Sequence, residues 1–216
     1  MTATLEDRLI EEDMASDDLP PPPPPTLILA EVALLGVSLA TVVGYARLFA
    51  DWAFFVPIAA AVVVAHALAA LLRRVGLGPL LSTVAHLSLL PLFLAWTRYR
   101  STTANLLPSG RTLDAITTDL ADAWDIFLDI SAPVPAAPGF IVAAMATAWV
   151  VALASDSLAF RLDATVEALA PATGLFLFAS ILAEQEHRTI SAALFVIAVL
   201  AFVLASRVAR VDGTGR

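Results

Sequence analysis

Five ionisable residues stand within or beside the apolar stretches of this 216-residue chain: Glu31, His66, His86, Asp156 and Glu167. An ionised acid at the centre of a bilayer costs about 2.5–3.5 kcal/mol on the insertion scale, so each must be paired, neutral or in use. Used together, the three acids could carry protons or ions. Paired with Arg73, Arg74, Arg161 and Arg207, they would instead form a belt of charge pairs that fixes helix ends and register. His66 and His86 are symmetric about residue 76, which places them at similar depth on two antiparallel helices. A facing pair could bind a metal or relay protons; the alternative is hydrogen bonding across helices to Ser, Thr or backbone. Two histidines make an incomplete metal set, and no nearby acid or thiol completes it. Helices joined by a short hairpin pack about 8–10 Å apart, too close to hold a haem between them. No metal site, no cofactor and no catalytic residue is expected.

Other catalytic classes fall away on composition and motif. The chain has no cysteine, hence no disulfide, thiolate metal site or thiol nucleophile. It contains no Walker-type phosphate loop, no Gly-x-Gly-x-x-Gly, no His-Glu-x-x-His and no Gly-x-Ser-x-Gly elbow. The expectation is a chain that is not itself an enzyme. Four aspartates, Asp119, Asp122, Asp125 and Asp129, follow one another along residues 119–129, but they lack the tight oxygen clustering of a calcium loop and read as a solvated helix face. All twelve basic residues are arginine, as a GC-rich genome would give, and the net charge is −8. An acidic chain without a basic stripe is a poor nucleic-acid binder, so no nucleic-acid partner is expected.

The elements that must hold these residues are membrane spans. The chain is 59% hydrophobic and 15% charged, with a mean hydropathy of +0.84; soluble domains are roughly 45–50% apolar and about 25% charged. Six apolar segments at about 27–48, 52–72, 79–97, 139–159, 164–183 and 189–207 each approach the ~20 residues needed to cross a hydrocarbon core. Backbone polar groups in lipid must bond internally, and no strand-like alternation suggests a barrel, so the spans are helical. The fold class is all-α, a polytopic bundle of about six transmembrane helices over residues 26–210. Pro57, Pro91 and Pro171 lie inside predicted spans and should kink them. Ala61, Ala65 and Ala69 form one small-residue seam, and Ala144, Ala148 and Ala152 another, which let helices approach closely.

Residues 1–25 carry seven acids and one arginine and end in Pro20–Pro25. They read as a disordered cytoplasmic tail with a short polyproline II rod, not as a signal peptide. With the tail inside, Arg8, Arg73, Arg74, Arg161, Arg207, Arg210 and Arg216 are cytoplasmic, against Arg47, Arg98, Arg100, Arg111 and Arg188 outside. Tyr45, Trp52, Trp96 and Tyr99 then form an outer aromatic belt. Both ends of this chain are thus expected in the cytoplasm. The long connection, 98–138, is expected outside and carries an amphipathic helix with a stripe of Leu113, Ile116, Leu120, Trp124, Phe127 and Ile130. Thr112 is its expected N-cap, and the helix is expected to lie on the membrane surface or cap the bundle.

The segment order and several phrases resemble the N-terminal membrane domain of bacterial membrane-anchored transglutaminase-like proteins of the TgpA type. The phrases are Ala46–Trp52, Leu71–Arg74, the helix Thr112–Ile130 leading to Ala132–Phe140, Asp156–Arg161, and Glu167–Gly174; the likeness covers roughly residues 27–208. In that family a further span delivers an extracytoplasmic domain with a Cys-His-Asp triad; no residue of that triad carries over to this chain, which has no cysteine. The resemblance implies a non-catalytic anchor in the bacterial cytoplasmic membrane, placing a C-terminal extracytoplasmic catalytic domain or an envelope protein. The rival is a small proton- or ion-coupled transporter using Glu31, Asp156, Glu167 and the histidines. A transporter calls for a water path joining those acids and histidines; an anchor calls for tightly packed spans. No internal repeat is evident, which weighs against the transporter.

Overall fold

The computed structural model describes residues 24–129, 131–183 and 188–214. The readings made for the acidic tail, for Ile130 and for Arg216 fall outside them. Seven helices run through the described residues: α1 Pro25–Gly44, α2 Phe55–Arg74, α3 Pro79–Arg98, α4 Gly110–Asp129, α5 Pro138–Phe160, α6 Ala170–Leu182 and α7 Arg188–Thr214. No strand occurs among the described residues. Five of them (α1, α2, α3, α5 and α7) are long and apolar enough to cross a membrane. The chain is an all-α, polytopic membrane protein.

The fifth of the six expected segments, 164–183, forms a shorter helix than the others. Between α5 and α6 the chain turns at Asp163, whose φ is 55°, and passes through a 3₁₀ turn at Glu167–Leu169 before the 13-residue α6. Turn and helix together span about 24 Å, against about 30 Å of hydrocarbon.

Proline sets several of these boundaries. Pro25, Pro79, Pro138 and Pro171 sit in the first two positions of α1, α3, α5 and α6, where a missing N–H costs nothing. Pro171 therefore starts a helix and does not kink one, and Pro57 falls at the third residue of α2. Only Pro91 is interior to a described helix.

α1 and α5 are the central helices. α1 packs mainly on α7 and also on α2, α6 and α5; α5 packs on α2, α4, α1, α6 and α3. Ala61 and Ala65 of α2 and Ala148 and Ala152 of α5 are buried in one cluster, around the fully buried Trp149. Small side chains on both partners are what allow two backbones to approach that closely. A second cluster joins Leu34 and Val37 of α1, Ala172 and Phe176 of α6, and Phe195 and Phe202 of α7. Phe176 stacks on Phe195 with ring centroids 4.4 Å apart.

Candidate functional site

The charged residues meet at one end of the bundle, where α1 and α6 begin and α2, α5 and α7 finish. α2 ends in a Schellman turn. Leu77 N–H donates to the Leu72 carbonyl and Gly76 N–H to that of Arg73, each at 3.0 Å, with Gly76 at φ 75°. Only glycine enters that region without strain, and the turn fixes Arg73 and Arg74 on the last turn of α2. Arg73 donates one amine to Glu31 of α1 at 2.5 Å and the other to Asp156 of α5. Arg74 donates to the second Glu31 oxygen at 2.6 Å. The Arg73 guanidinium also lies 4.5 Å from the Phe160 ring centroid, a cation–π contact. The Asp156 side chain is 3% exposed and that of Arg73 12%, so three helices are joined by an almost dry ionic bridge. Arg161 adds a bond to the Leu77 carbonyl at 2.8 Å, tying the end of α5 to the α2–α3 turn.

A cavity of about 460 Å³ opens beside this bridge, lined by Glu31, Arg73, Arg74, Thr165, Ser206 and Arg210, among others. Arg210 of α7 closes one side by donating to Asp163 and to the Thr165 hydroxyl.

The belt expected from sequence thus forms with different members. Glu31 and Asp156 belong to it. Glu167 does not: its 3₁₀ turn presents it to the exterior, and it makes no ion pair among the described residues. Arg210, not Arg207, supplies the cation from α7. No group of three or more His, Cys, Asp and Glu gathers among the described residues.

The histidines turn to different neighbours. His66 of α2 shares a 2.9 Å hydrogen bond with the Ser38 hydroxyl of α1. His86 of α3 is fully buried and meets Trp149 of α5 edge-on, with ring centroids 6.0 Å apart. Among the described residues neither His86 nitrogen has a hydrogen-bond partner, nor does Trp149 Nε1. Sequence spacing indicated their depth but not this division between α1 and α5, which depends on helix rotation.

The opposite end is built around α4. Its N-cap is Ser109, not Thr112: Leu113 N–H donates to the Ser109 carbonyl at 3.1 Å. Thr112, three residues in, accepts from Ser109 N–H at 3.1 Å and donates to the Thr102 carbonyl at 2.9 Å, the reciprocal half of a capping box. The docked face of α4 is small and polar: Thr112, Ala115, Asp119 and Ala123 turn toward the protein. Asp119 accepts a 2.6 Å hydrogen bond from Tyr99, whose pKa is pushed up by burial first and then by that carboxylate. Gly139 of α5 lies under α4 with no room for a side chain; a Cβ there would come within 1.9 Å of the Asp119 carbonyl oxygen.

Of the apolar stripe Ile116 packs against the core, but the other described members do not. Leu113 is 56% and Trp124 62% exposed. Instead the stripe overhangs an apolar groove of about 710 Å³ between α4, α5 and α6. The expected aromatic belt is divided too. Trp52 and Trp96 are exposed at this end, whereas Tyr45 and Tyr99 are buried. The lead into α5 is held by Val134, which exchanges backbone bonds with Leu48 and Ala50 at 2.8 and 2.9 Å.

Comparison with family models, curated proteins and solved structures yields no match.

Proposed function

We propose that this chain is a non-catalytic membrane domain that anchors and positions an extracytoplasmic transglutaminase-like domain, or an envelope partner, at the bacterial cytoplasmic membrane. In this reading the Arg73 end is cytoplasmic and the α4 end faces out. The carrying observation is the bridge from Arg73 to Glu31 and Asp156. It commits the buried charge to joining α1, α2 and α5, where a coupled transporter would keep an acid free to load and release. The cavity beside the bridge and the groove under α4 share no lining residue. The apolar cluster of Leu34, Val37, Phe176, Phe195 and Phe202 fills the bundle interior where α1, α6 and α7 meet. The phrases that resemble the transglutaminase-like anchors also converge in pairs. Leu71–Arg74 meets Asp156–Arg161 at the bridge, and Ala46–Trp52 meets the lead into α5 at Val134.

A photoreactive residue placed at Thr117 or Asp122, exposed on α4, tests the reading in native membranes. Cross-linking to an envelope protein, or to a further domain of the same polypeptide, is expected. Proton flux through reconstituted vesicles above that of protein-free vesicles, lost in Glu167→Gln, would overturn the reading in favour of transport.

A further inference from the structure

We infer that the groove beneath α4 is a binding site for one hydrocarbon chain of a membrane lipid. The argument starts from helix rotation. At 3.6 residues per turn, the stripe Leu113, Leu120, Trp124 and Phe127 centres about 90° from the docked face, and Asp114, Asp122 and Asp125 lie about as far round on the other side. A helix with one face against protein, one apolar and one acidic lies flat at a membrane–water boundary, acids to water and stripe to hydrocarbon. The groove lies on the stripe side, between Leu120, Trp124 and Phe127 of α4 and the surfaces of α5 and α6. Its space therefore belongs to the hydrocarbon.

Two further features select the occupant. α6 is short and ends at Leu182, and its last turns line the groove through Phe178, Ile181 and Leu182. Phe178 is 54% and Ile181 81% exposed, so the groove is continuous with a lipid-facing surface. Among the described residues the lining carries no charged side chain, and its hydroxyls are those of Tyr45, Ser131 and Thr147. The Thr147 hydroxyl is occupied by the Ala143 carbonyl of its own helix at 2.8 Å. A wall of that kind offers a peptide backbone or a headgroup little to bond, but it suits an acyl chain.

The test uses the whole chain in vesicles of phosphatidylethanolamine and phosphatidylglycerol containing a small fraction of phosphatidylglycerol with a diazirine on its acyl chain. Adducts are mapped by mass spectrometry after irradiation. Ala144 and Leu175 in the groove should be labelled about fivefold more than Leu200 and Leu204, which are exposed on α7. Thr147→Trp, which fills the groove, should bring groove labelling down to the α7 level and leave α7 labelling unchanged, which also reports an intact fold. Thr147→Ser should keep the wild-type pattern. Equal labelling of groove and α7, or groove labelling indifferent to Thr147→Trp, would overturn the inference.

Discussion

Taking Glu31, Arg73 and Asp156 out of water is costly, and their mutual attraction does little more than offset that cost. What the bridge supplies is a constraint, because one guanidinium must meet two acids from two other helices. Arg73→Leu leaves both acids stranded and should destabilise the chain by about 3–5 kcal/mol, read as thermal unfolding in detergent. Replacing all three together (Glu31→Leu, Arg73→Met, Asp156→Leu) should recover most of that loss; a triple variant as unstable as Arg73→Leu would show that the bridge adds net stability. The histidines give an opposed pair. His66→Leu strands the buried Ser38 hydroxyl and should cost about 1–3 kcal/mol. His86→Leu removes a side chain with two unpartnered nitrogens and should be neutral or stabilising in the same assay. A large loss at His86 would mean that its nitrogens are satisfied by bound water.

α4 shows how a helix can be legible in sequence while its packing is not. Its 3.6-residue apolar period located the helix within 98–138, but period alone does not say which face meets protein when lipid is available to receive the apolar one. The docked face is the small one, through Ala115 and Ala123, because Gly139 lets the α5 backbone come up against Asp119. Gly139→Ala should therefore release α4, seen as faster proteolysis in the 98–138 segment with the bundle intact; unchanged cleavage would show that α4 is held elsewhere. Tyr99→Phe removes a hydrogen bond to a carboxylate and should loosen the same helix by about 1.5–3 kcal/mol. Because the Tyr99 pKa is raised, its contribution is complete below the free tyrosine value of about 10 and declines as pH rises beyond it. Docking of α4 should then be flat across neutral pH and weaken only in strong alkali. The bridge was half legible for a similar reason. Span boundaries place Arg73 and Asp156 at one end, but they put Glu167 beside them only if the helix starts at residue 164. The turn at Asp163 and the 3₁₀ turn after it rotate Glu167 outward.

At the scale of the molecule, the contacts order the ends unambiguously. Arg73 joins the start of α1 to the ends of α2 and α5, Arg210 brings the end of α7 to Asp163, and Val134 ties the lead into α5 to the end of α1. That alternation carries the chain from one end of the bundle to the other between Asp163 and the start of α7, although α6 is the shortest of the six segments. The shortfall of about 6 Å is within what local bilayer thinning absorbs, at a fraction of a kcal/mol per Å. The cysteine-free sequence makes the crossing directly testable. Single cysteines at Leu162, before α6, and at Ile190, in the first turn of α7, are both at exposed positions, 69% and 61% accessible. In oriented membrane vesicles an impermeant maleimide should reach Leu162→Cys from one face and Ile190→Cys only from the other. Labelling of both from the same face would make α6 a re-entrant segment, and α7 would then have to approach α1 from the side opposite to the one that the Arg210–Asp163 contact demands.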